Sequence, residues 1–201
     1  NKYNRNIFFK SNTLSKITFK KYIIINIFII INIIIPILTS FTNTITIKIK
    51  GTGLQPVLNQ EFTPEPSVSF QGSSISITNN EIEITGTESD ENDVILTWES
   101  TTFDNCDMMF KGLSNIIEVD LSTFSPMKCV NMREMFRDAF NLKSINFENF
   151  DTSSCSSMHH LFSNCYSLEI IDLSSFDTSS LTNIDSMFYN CTSLTLLDLS
   201  N

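Results

Sequence analysis

The sequence predicts an α/β solenoid: a right-handed coil of parallel strands with short helical returns, preceded by a small β-rich cap. Two observations carry that prediction. From Met109 onward the chain repeats itself every 26 residues without an insertion, and each copy divides into an alternating half and a half with helical spacing. A fixed period of roughly 20 to 50 residues marks stacked units, because one unit alone cannot bury its apolar face.

Phe110, Phe136, Phe162 and Phe188 set the register. Six residues on stand Ile116, Leu142, Leu168 and Leu194; nine on, Val119, Ile145, Ile171 and Leu197; eleven on, Leu121, Phe147, Leu173 and Leu199. Phe124, Phe150 and Phe176 lie fourteen on, and Cys106, Met132, Met158 and Ile184 lie four before. Leu168, Ile171, Leu173 and Phe176 follow the L-x-x-L-x-L pattern that a leucine-rich repeat uses for its strand. Alternation there predicts Ile171 and Leu173 inward, with Ile170, Asp172 and Ser174 outward. In the other half, Leu181, Ile184, Phe188 and Cys191 are spaced three, four and three apart. That spacing predicts one or two turns of α- or 3₁₀-helix as the return.

The run from Phe162 to Phe188, FSNCYSLEIIDLSSFDTSSLTNIDSMF, closely resembles the 26-residue leucine-rich-like repeat of the BspA-like surface proteins. That family occurs in bacterial surface lipoproteins and in expanded sets in protists. The first copy departs mildly, with Ser125-Pro126 where later copies carry Asp151-Thr152 and Asp177-Thr178. The second carries Ala139-Phe140 in place of Cys165-Tyr166 and Cys191-Thr192. The resemblance implies adhesion or ligand binding at a cell surface through an extended repeat face.

Three regions follow. Residues 1–42 hold Lys2, Arg5, Lys10, Lys16, Lys20 and Lys21 with no acid, then an apolar run over 23–38, which predicts a signal peptide or signal-anchor. Both readings place the basic flank inside and the repeats outside. The apolar run is shorter than the roughly 20 residues of a comfortable membrane span, which favours the cleaved signal. Residues 43–102 alternate in short runs at 45–50, 68–70, 75–77, 82–84 and 94–98, divided by Gly, Pro and Asn breakers. They predict a β-rich module that covers the edge of the first repeat. Residues 103–201 are the repeats, about four copies; Asn201 stands one residue short of the Phe expected in the fourth.

Six of the 13 basic residues precede residue 22, leaving seven against all 22 acidic ones in the rest of the chain. So acidic an exterior argues against nucleic acid and anionic membrane as partners. A protein or glycan ligand at the cell surface is the expected partner, with membrane contact only through the N-terminal apolar segment. The outward side of the strands is the expected ligand face: Asp120, Asn146, Asp172 and Asp198 in one column, flanked by Glu118 and Glu148. Acidic side chains stacked in register repel one another. Such a column is either softened by solvent and hydrogen bonds or recruits a basic ligand.

Cys129 and Cys155 share one repeat position, and Cys165 and Cys191 another. Neighbouring strands lie about 4.8 Å apart, within the Cα separation of a disulfide, so inter-coil disulfides and a ladder of buried thiols are both open. Cys106 has no second cysteine at its repeat position and is expected to stand alone. No zinc spacing, phosphate loop or nucleophile elbow occurs, and no cofactor or metal is expected. His159 and His160 are the only histidines; Cys155 and His159 could be drawn as nucleophile and base, but nothing orients the imidazole. Asn190-Cys191-Thr192 is the single glycosylation sequon. The expected function is therefore a non-enzymatic surface or secreted repeat protein for adhesion or ligand binding. The ectodomain of a membrane-anchored sensor is the alternative, and a hydrolase a remote one.

Overall fold

A computed structural model describes residues 43–85, 90–98, 105–124 and 129–197. The basic and apolar N-terminal segment and Asp198 lie outside the described residues. The N-terminal part is built on two long strands, β1 (Asn43–Lys50) and β6 (Glu91–Trp98), paired antiparallel along their whole length. Both read with period two: Ile45, Ile47 and Ile49 are buried in β1, and Val94, Leu96 and Trp98 in β6, while Lys48, Asp93 and Ile95 face out. β-Branched residues on one face of an extended chain favour this pairing.

Four shorter strands complete this region: β2 (Gly53–Pro56), β3 (Ser67–Phe70), β4 (Ser73–Ile75) and β5 (Glu81–Ile84). β2 and β5 form a separate antiparallel pair. β2 lies in a stretch that its flanking glycines mark as a breaker, which is why alternation alone does not find it. The repeats contribute β7 (Ile116–Asp120) and β8 (Ser144–Asn146), giving a six-stranded sheet of order β4-β3-β6-β1-β7-β8. Only β7 and β8 run parallel. β1 lies antiparallel on β7, and a register shift between Lys48 and Ile49 leaves Ile117 as an extra residue. The bulge explains why Ile116 and Ile117 are both buried.

Beyond the sheet the units are joined through their returns. Cys106, Met108, Phe110 and Gly112 donate backbone N–H bonds to the carbonyls of Asn131, Arg133, Met135 and Arg137. The next unit repeats this from Met132, Glu134, Phe136 and Asp138, and the third from Met158, His160, Phe162 and Asn164, all at 2.7–3.0 Å. The intervening N–H groups turn back three residues, as in Met109 to Cys106, Lys111 to Met108 and Leu113 to Phe110.

The predicted α/β solenoid with helical returns is thus corrected. Among the described residues there is no helix, the main sheet mixes antiparallel with parallel pairing, and strands of the repeats do not continue past β8 except for an isolated bridge between Ile170 and Leu196. The reason lies in the backbone. Each return carries two left-handed residues: Met108, Glu134, His160 and Ser186 at one position (φ 55–58°), and Gly112, Asp138, Asn164 and Asn190 at the other (φ 60–78°). A helix needs negative φ at every residue, so the three-four-three spacing of apolar residues is met by consecutive tight turns instead.

One apolar cluster runs through both parts of the described structure. Its spine is a file of phenylalanines: Phe110, Phe136, Phe162 and Phe188 stack in sequence with centroids 5.4, 5.7 and 5.3 Å apart. Phe124 packs on Phe150 behind it and meets Trp98 of β6 at 5.7 Å, which ties the sheet to the repeats. Along the surface of the returns, Asn164 Nδ2 donates to Asp138 Oδ1 at 2.7 Å and Asn190 Nδ2 to Asn164 Oδ1 at 2.9 Å.

Phe162, stacked on both faces and fully buried, is the most exposed to substitution: Phe162→Ala should cost about 3–5 kcal/mol in urea unfolding. At position 164 the left-handed backbone and the amide file can be separated. Asn164→Gly keeps the first and loses the second, whereas Asn164→Val loses both and should be less stable than the Gly variant by about 1–2 kcal/mol in the same assay.

Candidate functional site

The outward strand face holds the residues that sequence spacing brings into one column. Asp120 and Asn146 are register partners in β7 and β8, and Asp172 occupies the same position one unit on. All three are exposed, yet their side chains are engaged. Asp120 Oδ1 accepts the N–H of Ser122, Asn146 Oδ1 that of Glu148, and Asp172 Oδ1 that of Ser174, each at 2.9 Å. These are Asx turns, which close the corner at the end of each strand. The same device recurs at Asp151 with Ser153 and Asp177 with Ser179, and again at Asn105, Asn131 and Asn183. Glu118 is not free either, since it accepts Lys48 Nζ from β1 at 2.7 Å. Glu148 is exposed; its N–H closes the turn from Asn146.

At three of these corners the turn also favours the charged carboxylate. The Ser174 hydroxyl, then the Ser174 N–H, lower the pKa of Asp172; Ser153 and Ser179 act in the same order on Asp151 and Asp177. Beside this column runs a second outward one, Glu118, Ser144, Ile170 and Leu196, whose last two members are apolar. Ile170 is 60% exposed and Leu196 65%, and they are bridge partners. The sequence places Ile170 outward, but aliphatic residues in a repeat read first as core, so the exposed pair is easily overlooked.

A charge cluster on the returns has no counterpart in the expected site. Glu134, buried and in a left-handed conformation, lies against Lys111, with Arg137 at 3.3 Å and Arg133 at 3.6 Å. Burial opposes its charge, but the Lys111 hydrogen bond and the three cations outweigh burial and lower its pKa. Asp107 differs: burial raises its pKa, and Arg133 at 3.6 Å offsets that only in part. His159 Nδ1 lies 3.7 Å from Asp185, and its ring packs on that of His160. Among the described residues no group of three or more His, Cys, Asp or Glu side chains is placed to hold a metal ion.

Residues 77–147 and 104–200 match the model of a family described as a Mycoplasma protein of unknown function, DUF285. The chain belongs to the DUF285 family. The matches span more than half of the chain and include the repeats. No curated protein and no solved structure matches it.

In this DUF285 chain all five cysteines are free thiols. Cys129 and Cys155 each donate to the carbonyl two residues on, Asn131 and Ser157; Cys165 and Cys191 donate back to Phe136 and Phe162 at 3.1 and 3.0 Å. Each thiol therefore points at a backbone carbonyl and not at its repeat equivalent, so the inter-coil disulfides Cys129 to Cys155 and Cys165 to Cys191 are not formed. Cys106, expected to stand alone, is a buried free thiol whose pKa is held well above the ordinary value by the neighbouring Cys129 thiol and by burial. Burial raises the pKa of Cys155 to about 11, which removes the thiolate that a Cys155 and His159 pairing would need.

Two measurements follow. Alkylation of the folded protein at about pH 8 should be slow at all five cysteines and become complete only in denaturant, and added reductant should leave the thermal midpoint unchanged; an intact disulfide by mass spectrometry would contradict this. As to pH, Glu134, Asp151, Asp172 and Asp177 are lowered in the folded state. Their stabilisation is present above their ordinary values of 4.5 and 3.8 and is lost as pH falls through the folded ones. Asp107, raised on folding, works weakly the other way. The urea midpoint should be flat from roughly pH 7 to 5 and fall steeply below about 4, with Glu134→Gln flattening the fall.

Proposed function

We propose that this is a non-enzymatic repeat protein of the BspA-like kind, exported to the cell surface or secreted, which mediates adhesion by binding a protein or glycan ligand through its outward strand face. The observation that carries the reading is the exposed pair Ile170 and Leu196. Aliphatic side chains set side by side on an otherwise acidic, turn-closed surface are the pattern of a partner contact. Phe140 and Tyr166, stacked at 5.4 Å and about two-fifths exposed, add a second unburied apolar pair, on the second and third units. Export is supported by the basic and apolar order of residues 1–42, and the surface assignment by the BspA-like repeat pattern.

The test has two parts. External protease on intact cells should remove the repeats, and full protection would sink the surface reading. Purified protein should bind immobilised extracellular-matrix proteins or a glycan array, and Ile170→Asp with Leu196→Asp should reduce that binding at least tenfold without shifting the thermal midpoint. Unchanged binding by the double variant would move the contact away from this face.

A further inference from the structure

The basic side chains divide into those that the fold pairs and those that it leaves over. Among the described residues Lys48 meets Glu118, while Lys111, Arg133 and Arg137 gather on Glu134, Asp107 and Asp138. Lys50 and Lys143, both exposed, meet no carboxylate there, and both line one cleft of about 250 Å³. Its polar lining includes Glu91, the register partner of Lys50 across β1 and β6, and the side chains of Ser114, Asn141 and Ser167. The side-chain oxygens of Ser114, Asn141 and Ser167 make no hydrogen bond among the described residues.

The aromatic pair Phe140 and Tyr166 borders the same cleft. Asn141 and Ser167 follow the two rings in the chain, and Ser167 N–H donates to Phe140 O at 3.2 Å. The rings share one repeat position and lie 14° from parallel. At that position the first unit carries Ser114, whose carbonyl accepts Asn141 Nδ2 at 2.7 Å. The aromatic file therefore stops one ring short, at a serine on the wall of the cleft, and the face of Phe140 turned away from Tyr166 looks over that serine.

We propose that this cleft binds one acidic sugar residue of a glycan, a pyranose that carries a carboxylate. The sugar ring fills the step above Ser114 with its C–H face on Phe140, because the face of an aromatic ring is electron-rich. Its carboxylate lies between Lys50 and Lys143, where charge-assisted hydrogen bonds form. Its hydroxyls meet Glu91, Asn141 and Ser167. Each part of the lining selects this occupant. The two lysines left unpaired on an otherwise acidic surface call for an anion, and a cleft below the roughly 300–1,000 Å³ of a drug-sized site takes a single ring. A plain aromatic acid would leave the hydroxyl partners unused. Neither Ile170 nor Leu196 lines the cleft, so the sugar site stands independently of the strand-face contact.

The test is calorimetric titration of the full 201-residue chain with a disaccharide containing glucuronic acid, beside lactose as a neutral sugar, benzoate as a bare aromatic acid and acetate as a bare anion. The uronide should bind at least about tenfold more tightly than any of the other three. Raising the salt from about 0.05 to 0.5 M should weaken it. Ser114→Phe completes the aromatic file with the protein's own ring, and should abolish binding without lowering the thermal midpoint. Lys143→Gln should cut uronide binding at least about tenfold and leave it no tighter than that of lactose. Ile170→Asp with Leu196→Asp should leave it unchanged, so that failure of the strand-face contact and failure of the sugar site are read separately. The proposal is overturned if the uronide does not bind, if lactose, benzoate or acetate binds as tightly, or if either Ser114→Phe or Lys143→Gln binds the uronide as the unaltered chain does. Loss of uronide binding in the Ile170 and Leu196 double variant would also overturn it, by moving the sugar to the strand face.

Discussion

Four backbone hydrogen bonds from each return to the next hold this structure together, and they exist because the return is not a helix. A helix turns every interior N–H back onto its own carbonyls. Here only alternate N–H groups do so, and the others point along the stack to the following unit. Two left-handed residues per return produce that split. A non-glycine residue held there costs about 1–2 kcal/mol, and the inter-unit bonds offset it because a buried backbone donor left unmade costs as much. The phenylalanine spacing of 5.3–5.7 Å is then a consequence of backbone registration, since the rings ride on residues whose N–H groups make the bonds.

The polar residues of the repeat serve the same geometry. Asp, Asn and Ser recur at fixed positions because each corner needs a side-chain acceptor for the N–H two residues on. That accounts for the acidic columns without a bound cation or ligand. It also narrows what remains for recognition: after Asx turns, the Lys48 to Glu118 pair and the Glu134 cluster are set aside, the unburied apolar pairs Ile170 with Leu196 and Phe140 with Tyr166 stand out on the repeat surface.

The N-terminal strands act on the stack in two ways. β1 covers the β7 edge, and the loop bearing Asn59 bonds two carbonyls of the first return, those of Met109 and Lys111. Trp98 against Phe124 adds apolar contact behind them. An open edge is a template for further pairing, so covering both the strand edge and the return carbonyls makes the stack directional.

Much of this was legible in the residues. The 26-residue period located the stacked phenylalanines, and alternation placed Ile171 and Leu173 inside and Ile170 and Asp172 outside. β1, β3, β5 and β6 follow from their period-two runs. The helical returns did not survive, although one signal was present: Gly112, Asp138, Asn164 and Asn190 are residue types that tolerate left-handed φ. Of their companions, His160 is of that kind but Met108, Glu134 and Ser186 are not, so no consistent local preference announces that position. The sequence by itself determined which side chains share a column, because a constant period needs no knowledge of the third dimension. Only the tertiary structure decided what joins those columns: left-handed returns, mixed pairing with β1, free thiols and an engaged acidic column. The direction in which a backbone N–H points is set by the neighbouring unit, and no single repeat encodes it.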